Sequence, residues 1–132
     1  MRTRYAARVF ATAGIFNIVL GTSAFLAPLA TIRLMGIGRP QSPLFMDLAM
    51  WLVLVLGIGY CLTALNPERN RDLMLVGGVG KILVLPLMLS AWRRGDIGLS
   101  GVVAGSVDFV FALLFFDVMR RTGLPRTRTR VI

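Results

Sequence analysis

Residues Leu73–Leu87 read LMLVGGVGKILVLPL, and the setting of Lys81 within them decides the fold. Gly80-Lys81 either closes a phosphate-binding loop or belongs to a helix inside a membrane. A phosphate loop needs G-x-x-x-x-G-K-[ST], whose backbone N–H groups cradle phosphates while the hydroxyl holds magnesium. Here Leu75 stands where the first glycine belongs and Ile82 where the hydroxyl belongs. Such a loop also follows a β-strand in a soluble α/β domain, so the rest of the chain has to supply one.

It supplies the opposite. Of 132 residues, 56% are hydrophobic and 16% charged, with a mean hydropathy of +0.75. The apolar share is above that of an ordinary soluble domain and the charged share below it. Four apolar stretches, near Tyr5–Leu29, Leu44–Leu65, Asp72–Trp92 and Ile97–Met119, each reach the ~20 residues that carry a helix across a hydrocarbon core. The segments between them, IRLMGIGRPQSP, NPERNR and RRGD, are short and carry turn residues and most of the remaining charge. The expected fold is all-α, a four-transmembrane-helix antiparallel bundle in one integral membrane domain. Arg2, Arg4 and Arg8 before an apolar run also suggest a signal peptide, but the run from Val9 to Ala30 is long for a signal core and contains Asn17. It is read as the first span.

Charge sets the expected orientation. Arg2, Arg4, Arg8, Arg69, Arg71, Arg120, Arg121, Arg126, Arg128 and Arg130 fall on one side, ten against the four of Arg33, Arg39, Arg93 and Arg94. The positive-inside rule then places both termini in the cytoplasm, for a multi-pass protein of the bacterial cytoplasmic (inner) membrane. Arg69, Arg71, Arg120 and Arg121 are read as topology or headgroup contacts, and the arginine tail as a partner of anionic lipid headgroups. No nucleic-acid partner is expected. Histidine is absent and Cys61 stands alone, which argues against haem, most metal sites and a redox pair.

The polar residues inside the spans are the candidate site. With a rise of 1.5 Å per residue, Asn17 lies ~12 Å from the basic face, Lys81 ~13 Å and Asp108 ~15 Å, with Tyr60 shallower. Positions three and four apart share a helix face. They read Gly14, Asn17, Gly21 in the first span, Gly57, Tyr60, Ala64 in the second, Gly77, Lys81, Val84 in the third and Gly101, Gly105, Asp108 in the fourth. Small residues let membrane helices approach, so these faces turn inward and Gly14, Gly21, Gly57, Gly77, Gly101 and Gly105 are expected around a pocket. A charge at mid-span costs ~2.5–3.5 kcal/mol on insertion scales and is offset by pairing. Lys81 and Asp108 are the expected pair, with Asn17 and the Tyr60 hydroxyl as hydrogen-bond partners. The glycines before Lys81 thus form a packing surface. In the turn NPERNR, Asn66-Pro67 closes the second span and Asn70 or Asp72 caps the third.

These residues also carry a resemblance. Asn17 with Gly21 and Pro28, G-I-G-Y at Gly57–Tyr60 running into N-P-E-R-N-R, V-G-G-V-G-K at Val76–Lys81 and Asp108 midway along the last span resemble small four-helix bacterial membrane proteins with a DoxX-like outline. The resemblance implies an accessory role beside quinone-linked oxidoreductases, and it transfers no activity to a residue. Three function classes follow. One is an accessory or scaffold protein that binds a membrane partner, a second copy of itself, or a lipid-like or quinone-like molecule in the polar layer. Another is an oligomeric proton-coupled transporter or channel that uses the Lys81–Asp108 pair. An enzyme is least supported, because neither a serine–base pair nor a carboxylate pair at one depth is present. The Lys81–Asp108 pair itself reads equally as a structural clamp.

Overall fold

Apolar runs in lipid have no water for their backbone groups, so they fold as helices, which satisfy those groups internally. The computed structural model describes residues 2–123, and they form α1 (Arg2–Leu26), α2 (Pro28–Met35), α3 (Pro43–Leu65), α4 (Arg71–Arg93) and α5 (Leu99–Thr122). Four of the five are long and apolar enough to cross a membrane. Their exteriors are apolar too: Leu44, Phe45, Leu48, Trp51, Leu52 and Val55 of α3 are all exposed. Water would penalise so large a continuous patch and hydrocarbon does not. The chain has the architecture of a multi-pass membrane protein.

The short helix α2 corrects the expected end of the first span. A single helix reaching Leu29 and closing at Pro28 is replaced by a break at Ala27 (φ −142°, ψ 66°), with Pro28 opening a new helix. Proline has no N–H to continue the ladder and its ring collides with the carbonyl four residues back. At a first helical position neither defect matters. Thr31 is buried and its hydroxyl donates to the Ala27 carbonyl at 3.0 Å. The new helix stops at Gly36, whose φ of 65° suits glycine. Residues 32–35, expected in a loop, are therefore helical.

The last span is shifted in the same region. Gly98 is extended and donates its N–H to the Gly36 carbonyl at 2.7 Å, while Ile97 and Ile37 form an isolated antiparallel bridge. This tie delays the start of α5 to Leu99, and the helix then continues past Met119 to Thr122. Arg120 and Arg121 belong to its last turn, whereas Arg126, Arg128 and Arg130 lie outside the described residues.

Packing follows the glycines. A Cβ on Gly14 would stand 2.9 Å from the Gly57 carbonyl, and one on Gly21 3.0 Å from the Met50 carbonyl. The backbones of α1 and α3 are thus in direct contact along one seam. On the other side α5 lies along α4, with Gly105 against Met88 and Phe116 against Gly78. In both seams the contacts climb one helix as they descend the other. The two pairs meet through α1 and α5, where Phe10 stacks on Phe115 at 4.1 Å between ring centroids and the Tyr60 ring meets Phe115 edge-on at 5.1 Å. Ala6, Ala13, Met74 and Val118 complete this core at the end of the bundle that holds the start of α1 and the α3–α4 turn. By contrast, α3 meets α4 at Gly59 with Leu73 and at Tyr60 with Gly77. All four residues lie within two turns of the connecting loop, and farther along a cavity occupies the space between the two helices.

Candidate functional site

On α4 the buried face is Met74, Gly77, Gly78 and Lys81. Two glycines, Gly77 and Gly78, let this face approach its neighbours and deliver a lysine into the bundle, where it is only 5% exposed. Its Nζ donates to the Asn17 Oδ1 of α1 at 3.0 Å and pairs with the Asp108 carboxylate of α5. Asn17 in turn donates from Nδ2 to the Val53 carbonyl of α3 at 3.3 Å. That approach depends on Gly57, where a Cβ would fall 2.9 Å from the Asn17 Cβ. One chain of polar contacts therefore joins all four long helices. It brings Asn17, Lys81 and Asp108 together.

Tyr60 takes part differently from the expectation. Its ring, rather than its hydroxyl, faces the lysine: Nζ stands 5.5 Å from the Tyr60 centroid, 5.4 Å from Phe111 and 6.0 Å from Phe16. Aromatic faces within ~6 Å attract a cation. Asn17 and Asp108 already occupy two of the ammonium donors, and the Tyr60 ring packs on Gly77, where a Cβ would lie 2.6 Å from the ring. Among the described residues the Tyr60 hydroxyl has no hydrogen-bond partner. Phe16 and Phe111 were not anticipated. Phe111 carries a signal, standing three residues past Asp108 on the same face; Phe16 carries none.

The cavity between α3 and α4 measures about 240 Å³ and is walled by Asn17, Leu20, Val53, Leu56, Tyr60, Val76, Gly77, Gly80, Lys81, Val84 and Asp108. A second, of about 160 Å³, lies against Phe16, α2 (Leu34, Met35), Met88 and Gly105, and shares Leu20, Val84 and Asp108 with the first. Of the glycines expected around a pocket, Gly77 and Gly105 do line one. The other four are corrected: Gly14, Gly21 and Gly57 form the α1–α3 seam, and Gly101 packs on α2, where a Cβ would sit 2.6 Å from the Met35 carbonyl. Backbone contact consumes the space that a pocket would need. Gly80, not anticipated, is the open position, with nothing within 4 Å of its Cβ direction.

The arginines divide as well. Arg120 and Arg121 pair with Asp117 at 3.3 and 2.7 Å, and Asp117 also accepts from the Tyr5 hydroxyl at 3.0 Å. Arg69 donates its backbone N–H to the Asn66 side chain, while the Arg71 Nη1 is buried without a partner among the described residues. Asn70 occupies the N-cap of α4 but does not cap it. Its amide reaches back to the Asn66 and Leu62 carbonyls at 3.0 and 3.4 Å and ties off the C-terminus of α3.

Chemically, the site is a neutral unit. One ammonium and one carboxylate cancel, the other polar groups are an amide and a phenol, and the rest of the cavity wall is aliphatic or glycine. The third ammonium donor position and the Tyr60 hydroxyl remain for a guest. No group of three or more His, Cys, Asp or Glu gathers to hold a metal among the described residues. No protein-family model, curated protein or solved structure matches the chain, so the DoxX-like likeness rests on its motifs alone.

Proposed function

We propose that this is a small accessory protein of the bacterial cytoplasmic membrane that holds the neutral polar head of a lipid-like molecule, quinone-like in class, in the α3–α4 cleft. The observation that carries the reading is a buried lysine, already neutralised by Asp108, lining a cavity otherwise walled mostly by apolar side chains. A charged head would unbalance the site, and unpaired charge in an apolar medium is expensive. A carbonyl or hydroxyl head adds no charge, and can accept from the ammonium and bond the Tyr60 phenol. The volume, just under the ~300 Å³ at which drug-sized pockets begin, suits a head group whose tail remains in lipid. Exposed Gly80, Val76 and Leu56 at the rim are compatible with lateral entry.

In this reading the basic end of the bundle, with Arg69, Arg71, Arg120 and Arg121, faces the cytoplasm and anionic headgroups, and the DoxX-like likeness points to a quinone-linked oxidoreductase as the membrane partner. The test is binding of a short-chain ubiquinone analogue to the protein in lipid nanodiscs. Lys81→Met should weaken it. Gly80→Leu, which grows into open cavity and leaves the ion pair alone, should abolish it. Unchanged binding by Gly80→Leu would refute the site.

A further inference from the structure

Of the fifteen Lys and Arg residues, fourteen are arginine and the only lysine is Lys81. Every other basic side chain is a guanidinium, and the buried one, Lys81, is a primary amine. Arginine would serve a carboxylate clamp better, since its planar fork bonds a carboxylate through two N–H groups. A lysine offers what arginine cannot: a nitrogen that gives up a proton and attacks carbon.

The surroundings fit that chemistry. The amine lines an apolar cavity and touches a carboxylate able to take its proton. Proton transfer within the pair leaves an amine and a carboxylic acid, both neutral, and so removes two buried charges from an apolar site. Three aromatic rings lie 5.4 to 6.0 Å from Nζ, placed to stabilise a cation that remains on that nitrogen after it has reacted. Desolvated lysines in apolar pockets form imines with carbonyl compounds.

We propose that Lys81 forms an imine with a membrane-dissolved, long-chain aldehyde. The ammonium passes a proton to Asp108. Its Nζ then attacks the aldehyde carbon, forming an N–C bond as the C=O π bond opens, and a proton moves from nitrogen to oxygen to give the carbinolamine. Asp108 returns its proton to the hydroxyl, which leaves as water while the C=N bond forms. The product is a protonated imine on Lys81 with the Asp108 carboxylate as counter-ion, and the step needs no oxidant or reductant. Hydrolysis reverses it, so the site holds and releases an aldehyde.

The inference uses the same cavity as the proposed function but adds a covalent step, and one experiment separates them. The full chain in lipid nanodiscs is incubated with decanal and sodium cyanoborohydride, which reduces an imine to a stable amine, and the peptides are weighed. With only one lysine, the N-terminal amine is the internal control. The expected result is one decyl group on Lys81, formed faster than on the N-terminus, absent in Lys81→Arg and suppressed at least tenfold in Gly80→Leu, with N-terminal labelling unchanged. Labelling of the N-terminus but not of Lys81 in the wild-type protein would overturn the proposal. If the ubiquinone analogue still binds in that case, the cleft reading survives; if it does not, both fall. Equal labelling of Lys81 in wild type and Gly80→Leu would also overturn it, by showing that the amine reacts outside the cavity.

Discussion

Asp108→Leu should destabilise the bundle more than Lys81→Met does, and the double substitution should cost less than either. Losing one member of a buried ion pair typically costs ~3–5 kcal/mol because the survivor is left uncompensated. The two survivors differ. After Asp108→Leu the lysine side chain, 6% exposed, keeps only Asn17 as an acceptor, which places the cost near ~5 kcal/mol. After Lys81→Met the carboxylate, 19% exposed and bordering both cavities, is the less buried survivor, which places the cost near ~3 kcal/mol. The double variant removes both charges and leaves chiefly Asn17 short of a partner, about 1 kcal/mol. Independent residues would instead sum to ~8 kcal/mol by the same figures. Unfolded helices in a micelle find substitute partners, which shrinks all three values without changing their order. Reversible unfolding in mixed micelles, titrated with dodecyl sulfate and followed by circular dichroism, measures the cycle. Additive effects would refute the contact and with it the neutral site.

Two glycine substitutions should have opposite signs in the same assay. Gly57→Ala, whose Cβ meets Asn17 and Ile18 at 2.9 Å, should cost about 1–3 kcal/mol by overpacking, while Gly80→Ala, in open space, should gain up to ~1 kcal/mol of helix propensity; equal effects would show the α1–α3 seam to be loose. Tyr5→Phe removes the hydroxyl bonded to Asp117 but leaves that carboxylate its two arginines, so it should lower stability by less than Gly57→Ala. Reporter fusions after Gly123 and between Gly38 and Ser42 should fall on opposite sides of the membrane, the first in the cytoplasm, as the ten-to-four arginine count requires.

Much of this was legible in the residues. Uninterrupted apolar runs announce spans because lipid tolerates no other backbone solution, and helical rise alone put Asn17, Lys81 and Asp108 at one depth. What was illegible depends on neighbours remote in sequence. Pro28 reads as a stop, yet the chain turns helical again and α2 docks against α5, with Gly36 bonded to Gly98. Tyr60 reads as a hydroxyl donor, and only the fit of its ring against Gly77 shows the phenyl face meeting the lysine instead. The glycines looked alike as one small-residue pattern. Whether each meets backbone, as Gly14 does, or empty space, as Gly80 does, is decided by the partner helix.

Because α3 and α4 are joined at the Asn66–Asn70 turn and touch at Gly59 with Leu73 and Tyr60 with Gly77, the space between them is a wedge. At 1.5 Å per residue its narrow end, at Tyr60, lies ~9 Å from the apex at Asn66, and Val53 lies ~20 Å away. At a fixed angle the gap at Val53 is about twice that at Tyr60 by these lengths. The cleft is therefore narrow at the Tyr60–Gly77 contact and wider toward Val53 and Val84, with Lys81 on its wall. If the cleft holds the proposed guest, this taper would select by girth as well as by hydrogen bonding. The five residues of the turn join the two helices, so a single insertion there should alter the width of the cleft without substituting any residue that lines it.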